Sequence, residues 1–360
     1  MKNKSILSIL ILILFTFLVG CNSDNQSSEG RLTVYTTIFP LEDFTNKIGG
    51  DHVDVKSVYP PGADAHTFEP STKTMSEMAS ADAFIYTGVG VEGFADKAKD
   101  VLENEEVKVV AAAQEIELMK EDEHAHEEDA HGEDEHAHEE DAHGEDEHAH
   151  EEDALEEDEH ADEEDAHEED EHAHEEDAHG EDEHNHADGD PHVWLSPTLS
   201  ISLAENIKNA LVELKPEAKE DFEANFQSLK EELEALDSEY KETMESAKTN
   251  KILVSHAAYG YWEKEYGLEQ ISVTGLSPTQ EPSQKQLTEI IETAKEYNIQ
   301  YVIFDQNISG KIAEVVKNEI KAEALTLHNL EAATEEDVNN EEDYFSLMRK
   351  NLETLKKALN

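Results

Sequence analysis

A single cysteine stands in the 360 residues of the chain. No intrachain disulfide can form, so the fold must rest on its core alone. Basic residues are also scarce: 27 Lys and Arg face 88 Asp and Glu, for a formal charge of −61. Nucleic-acid binding, which needs a basic face, is therefore not expected. No His-Glu-x-x-His helix is present, and no Gly-x-Ser-x-Gly surrounds Ser255-His256, so the zinc-protease and nucleophile-elbow motifs are both missing. The one long apolar run, Ile6 to Val19, is too short for a stable membrane span.

Lys2 and Lys4 precede that run, and Leu18-Val19-Gly20-Cys21 closes it. A charged start, a short apolar stretch and small residues at the end read as a secretory signal over residues 1–20. The cysteine in this position resembles that of a bacterial lipobox, which implies cleavage before Cys21 and lipid modification of its thiol. Residues 21–30 then form a flexible tether, and acyl chains on one residue anchor the chain to a membrane face. The expected location is extracytoplasmic, on the bacterial cell membrane, out of reach of cytosolic ATP and NAD.

What the chain has in excess lies in residues 121–190. The segment Glu121-Asp122-Glu123-His124-Ala125-His126-Glu127-Glu128-Asp129-Ala130-His131-Gly132 recurs from Glu133, Glu145, Glu157, Glu169 and, truncated, Glu181. It has no Lys or Arg and only one large apolar side chain, Leu155. Such a composition cannot bury enough surface to offset the entropy of ordering, so disorder is expected. Five pairs put imidazoles at His-x-His spacing among carboxylates: His124 and His126, His136 and His138, His148 and His150, His172 and His174, His184 and His186. Such a set suits zinc. An acidic spacer alone would need no such pairs. Without a fold each site is weak and exchangeable, an accessory rather than the tight site.

The remainder, roughly 260 residues, is enough for two modest domains. Strand-like runs Leu32–Thr36, Val53–Tyr59, Ala83–Tyr86 and Val107–Ala111 alternate with helical patterns from about Pro40, from about Thr72 and to about Glu103. The rhythm returns in Lys251–Ser255, Ile271–Val273, Tyr301–Asp305 and Leu325–Leu327, with helices around Gln284–Tyr297, Ile312–Ile320 and Asp343–Leu359. This alternation predicts an α/β protein of two parallel-sheet lobes, residues 31–214 and 248–360. Between them, residues 215–247 read as one helix with Phe222, Phe226, Leu229, Leu233 and Leu236 at helical spacing, a stiff strut of about 45 Å.

Three histidines outside the tract share a setting: His66 follows the second strand, His192 closes the tract before a helix, and His256 ends the first strand of the second lobe. Ligands of parallel sheets bind beyond the carboxyl ends of strands, so all three can meet in the interlobe cleft. Zinc favours imidazole and often takes four ligands; Glu331, after the last strand, is a fourth candidate.

Three motifs carry a family resemblance over nearly the whole chain beyond the signal. They are Pro60-Pro61-Gly62-Ala63-Asp64-Ala65-His66-Thr67-Phe68-Glu69-Pro70, Asp190-Pro191-His192-Val193-Trp194-Leu195-Ser196-Pro197, and Ser255-His256-Ala257-Ala258-Tyr259-Gly260-Tyr261. The chain resembles the lipoprotein substrate-binding proteins of bacterial zinc and manganese ABC importers, the cluster A-I or class III type. The resemblance implies two lobes joined by a long helix, one metal ligand from each motif, a carboxylate near the last strand matched to Glu331, and a membrane permease as partner. A His-rich acidic insertion and His at the third position are similar to the zinc branch. Two departures stand out. Ala65 occupies a position where Pro is frequent, and His328-Asn329 replaces a frequent Asn-Pro, which makes His328 a competing donor.

The expected function is capture of Zn(II) and its delivery to an ABC permease, by a monomer that is not an enzyme. An extracellular zinc buffer working through the tract, and a manganese-binding or adhesin-like lipoprotein, are the alternatives; manganese prefers oxygen ligands, against His256. Gly88-Val89-Gly90-Val91-Glu92-Gly93 spells a dinucleotide fingerprint, but it is not in the first unit of its lobe, and it reads as a tight turn near the cleft. A metallohydrolase would need an open coordination position, which a carboxylate at Glu331 closes. Trp194, Phe68, Tyr261 and Trp262 flank the candidate ligands, mostly as packing.

Overall fold

The computed structural model describes residues 30–120, 189–308 and 310–360. The signal segment and Cys21 lie outside the described residues, as do the tract histidines His124, His126, His136, His138, His148, His150, His172, His174, His184 and His186. No described helix is long and apolar enough to cross a membrane.

Two four-stranded sheets, parallel throughout, form the two lobes. The first holds β1 (Leu32–Thr36), β2 (Val53–Ser57), β3 (Ala83–Tyr86) and β4 (Lys108–Ala111) in the order β2-β1-β3-β4. The second holds β5 (Lys251–His256), β6 (Glu269–Thr274), β7 (Tyr301–Asp305) and β8 (Glu323–Leu327) in the order β6-β5-β7-β8. Each chain path runs to one side of its first strand and then returns to the other, creating a switch point beyond the carboxyl ends of β1 and β3, and of β5 and β7. Buried apolar strands such as Ala83-Phe84-Ile85-Tyr86 suit sheets covered on both faces.

The ends of the elements follow local chemistry. Strand β2 stops at Ser57, short of the expected Tyr59, because Pro60 and Pro61 follow and cannot supply ladder donors; Val58 and Tyr59 are buried all the same. Helix α1 (Phe39–Gly49) carries Pro40 in its first turn, where its missing N–H costs nothing. Helices α2 (Thr72–Met78) and α3 (Ala95–Leu102) complete the first lobe's crossovers, and α4 (Pro197–Leu214) follows His192, capped by the Ser196 side chain accepting from the Leu199 N–H.

The connecting helix is shorter than the unbroken element expected over residues 215–247. A 3-10 turn at Pro216–Ala218 precedes α5 (Lys219–Glu245), since Lys215 leaves the helical region before the proline. Its 27 residues span about 40 Å. Phe222, Leu229, Leu233, Leu236 and Tyr240 are buried along one face. That face binds both lobes: Asn225 donates to the Ile48 carbonyl of α1, and Tyr240 to the Met348 carbonyl of α10 (Tyr344–Ala358).

The second lobe adds α6 (Gly260–Tyr266), α7 (Gln284–Glu296), α8 (Lys311–Ile320) and the short α9 (Glu335–Asn339). Helices α6 and α9 were not anticipated; at 7 and 5 residues they are too short to show a helical period. One core runs through both lobes, from Val34 and Phe44 to Trp262 and Leu355, and a smaller cluster around Leu253, Val302 and Val316 lies in the second lobe alone. Phe44 meets Tyr344 edge-on at 4.9 Å, the Tyr344 hydroxyl donates to the Trp194 carbonyl, and the Trp262 indole donates to Leu195.

Leu236 is fully buried in the strut, so Leu236→Ala should lower stability by about 2–5 kcal/mol, read from the urea midpoint. Exposed Glu231→Ala should stay within about 0.5 kcal/mol.

Candidate metal centre

Four buried groups meet where the lobes face each other. His66 lies in the loop after β2, where Asp64 accepts from the His66 N–H (2.9 Å) and fixes an Asx turn. The same loop leans on the chain after β8: the N–H of Gly62, at φ +77°, donates to Ala333 (2.8 Å), and the Ala65 N–H donates to Glu331 Oε2 (3.2 Å). A proline at position 65 could not make that last bond. The unusual residue here thus supplies a donor that holds the Glu331 carboxylate.

Asp190 Oδ1 accepts from both the backbone N–H of His192 (2.9 Å) and its ring Nδ1 (2.8 Å). The ring proton is thereby placed on Nδ1, and Nε2 keeps its lone pair. Asp190 itself is clamped, its N–H on the Met119 carbonyl (2.8 Å) and its carbonyl accepting from the Tyr261 hydroxyl (2.8 Å). The two chain ends that flank the acidic tract are therefore bonded together directly beside His192.

His256 ends β5, fully buried. Its Nε2 lies 2.8 Å from the Leu276 carbonyl, and its Nδ1 has no hydrogen-bond partner, with Asp305 Oδ2 at 3.7 Å. Glu331 follows Leu330, which is forced to φ +60°, and its backbone is pinned by Asn329 Oδ1 accepting from its N–H (3.2 Å) and by Phe39 N–H donating to its carbonyl (3.0 Å).

His66, His192 and His256 each bring a ring nitrogen to within 4.8 Å of the others, the metal-compatible group found among the described residues. Glu331 stands on the His66 side, Oε1 lying 3.3 Å from His66 Nε2 without the alignment of a hydrogen bond. Two ligands about 2.0 Å from a tetrahedral zinc are about 3.3 Å apart. His66 Nε2, His192 Nε2 and Glu331 Oε1 are all buried with no partner, a costly state for polar atoms. Neutral imidazole nitrogens and one carboxylate form a donor set that fits a borderline divalent cation.

His328, the competing donor, is spent on structure. Its Nε2 is paired with Asp337 (3.1 Å), and its Nδ1 accepts from the Leu330 N–H (2.9 Å). The glycine motif is likewise self-contained: Gly88 and Gly90 take positive φ, and the loop folds onto its own Glu92, which accepts from Thr37 and from the backbone and hydroxyl of Thr87. Of the aromatics, Trp194 meets His192 edge-on at 5.3 Å while its indole donates to Asn329. Phe68 packs on Tyr59 and Phe94, and Tyr261 and Trp262 serve as interlobe donors. Sequence reasoning missed Asp190 and Asp305 as partners of the histidines; only Asp190, two residues before His192, left a signal.

Burial works against a proton on His66, but the adjacent Glu331 outweighs it and raises the imidazole above its ordinary range. Burial likewise penalises the Glu331 charge, yet His66 holds its carboxyl below the usual value. In His256, burial and then repulsion from His192 depress the ring to about 3. Asp305 is pushed up to about 6 by burial, against its bonds from Tyr259 and Ser255. The two shifts have opposite directions, and both favour a charged Glu331 facing a protonated His66. Glu331→Gln should lower the His66 midpoint in a metal-free NMR titration; an unmoved or rising midpoint would contradict this pairing.

The family model for the periplasmic zinc-uptake complex component A matches residues 34–358. The chain is 32% identical over 360 residues to the zinc-binding lipoprotein AdcA of Streptococcus pneumoniae serotype 4, covering 99% of this chain but 61% of AdcA. It thus spans about 61% of the length of the streptococcal relatives it matches. It is 30% identical to the high-affinity zinc uptake system protein ZnuA of Bacillus subtilis, over 97% of each chain. The Zn(II)-bound ZnuA-like domain of S. pneumoniae AdcA superposes with a TM-score of 0.65 at 29% identity, over 92% of this chain and 99% of the domain.

Proposed function

The chain belongs to the zinc-uptake component A family, and from that premise we propose that it is an extracytoplasmic receptor that captures Zn(II) and delivers it to an ABC-type permease. The observation that carries this reading is the set of buried, unpartnered donors from four separate segments, His66, His192, His256 and Glu331. A shell of three neutral imidazoles and one carboxylate leaves a bound Zn(II) with a single net positive charge and no position for an activated water. Binding rather than hydrolysis follows, and the protein is not an enzyme. Zinc is cargo, held by groups whose proton load changes with pH, so affinity falls as pH drops through the imidazole range.

The accessory role falls to the His-rich tract, with His124, His126 and their repeats as weak donors. Its flanking residues Met119 and Asp190 are bonded to each other at the His192 side of the centre, which supports a high effective zinc concentration at the site. Cys21 carries the lipid anchor, residues 1–20 direct export, and the chain works as a monomer.

Competitive zinc titration against a chromophoric chelator separates receptor from buffer. A chain lacking residues 121–186 should keep one tight equivalent, and its His66→Ala, His256→Ala double mutant should lose it. The joined ends at Met119 and Asp190 favour folding of the shortened chain. No tight equivalent in the shortened chain would place binding in the tract and sink the receptor reading.

A further inference from the structure

Helix α6 has only seven residues, yet four of them face the segment that carries His192. The helix opens at Gly260, soon after β5 ends on His256, so it belongs to that histidine's own stretch of chain. The Tyr261 hydroxyl donates to the Asp190 carbonyl (2.8 Å), the Trp262 indole donates to the Leu195 carbonyl (2.7 Å), and Glu265 Oε1 accepts from the Ser196 hydroxyl (2.7 Å). These bonds reach the chain on both sides of His192. The rings of His192 and His256 lie 4.9 Å apart, centroid to centroid.

The fourth residue is Gly260, and it contributes by having no side chain. A Cβ at position 260 would lie 2.5 Å from Asp190 Oδ2 and 3.2 Å from Met119 Cε. The first distance is too short for any real contact, so one side would have to move. The backbone gives no reason for glycine here. Gly260 is not among the residues of positive φ, and alanine is the better helix former. Helix α6 has little room to shift: Trp262 is fully buried, its ring 4.8 Å from that of Tyr259, whose hydroxyl is bonded to Asp305. Asp190 is the group that would yield. It is 3% exposed, and its Oδ1 already accepts from both the backbone N–H and the Nδ1 of His192. Turning the carboxylate away from position 260 therefore turns Oδ1 away from the histidine.

We propose that Gly260 is a positioning residue of the metal centre: the space left by its absent side chain seats the Asp190 carboxylate, and through it the His192 ring, against the stretch of chain that carries His256. This rests on the receptor reading above. Gly260 touches no cation itself. It acts through Asp190, because metal-bound histidines generally donate their second ring nitrogen to a group that fixes the ring. A side chain at position 260 would compete with that carboxylate for one volume. Helix α6 thus relates a ligand of the first lobe to a ligand of the second by a steric limit as well as by hydrogen bonds.

Competitive zinc titration of the full chain against a chromophoric chelator tests this in a double-mutant cycle. Gly260→Ala should weaken the tight equivalent about 10- to 100-fold, as loss of a partner behind a ligating histidine does. Asp190→Ala should weaken it by a similar factor. Adding Gly260→Ala to Asp190→Ala should then change affinity by less than about twofold, since the carboxylate that the new methyl group displaces is gone. A Gly260→Ala affinity within about twofold of the parent, or losses that multiply in the double variant as a general structural role would give, would overturn the proposal. If Gly260→Ala alone does not fold, the double variant decides by circular dichroism. A folded double variant places the conflict at Asp190, and an unfolded one places it elsewhere and overturns the proposal. A tight equivalent that survives His66→Ala with His256→Ala would strike the receptor reading, whereas undiminished binding in Gly260→Ala would strike this proposal alone.

Discussion

The structure turns on four side chains held away from solvent where the two lobes face each other. His192, His256 and Glu331 are fully buried, and His66 is nearly so. Leaving such groups without partners costs on the order of 1–3 kcal/mol each. The fold sustains that only because the groups cannot escape. Asp190 fixes one ring and the Ala65 N–H holds the carboxylate. A continuous core and the helix Lys219–Glu245 join the two lobes. A cation that accepts three nitrogens and an oxygen would satisfy these atoms.

Aromatic side chains tie the segments around the cleft together. Trp194, Trp262, Tyr261 and Tyr344 each spend their polar atom on a backbone carbonyl in another segment. The aromatic bodies seal the cleft while the hydrogen bonds set its width. A centre lined by imidazole suits a tetrahedral ion better than one that seeks six oxygens. Met119 and Asp190, which flank the acidic tract in sequence, are bonded to each other.

Much of this was legible in the chain. Alternating apolar runs placed the strands to within a few residues, as Leu32–Thr36, Ala83–Tyr86 and Tyr301–Asp305 show, because buried parallel strands leave a strong signal. The three histidines and Glu331 were legible as candidates from their places after strands. What escaped notice depended on tertiary neighbours. Nothing local announces that Asp305 faces His256, that His328 is consumed by Asp337, or that alanine at position 65 gains an N–H bond to Glu331. The 3-10 break at Pro216 was readable in principle, since proline after an extended residue interrupts a helix, but the flanking helical periodicity masked it.

The central claim is that a buried three-nitrogen, one-oxygen shell holds the ion. Zinc K-edge X-ray absorption of the chain loaded with one equivalent measures it most directly. Four N/O ligands at about 2.0 Å are expected, with outer-shell scattering from three imidazoles. Five or six ligands, or a signal from one or two imidazoles amid carboxylate oxygens, would mean that the metal resides in the acidic tract instead.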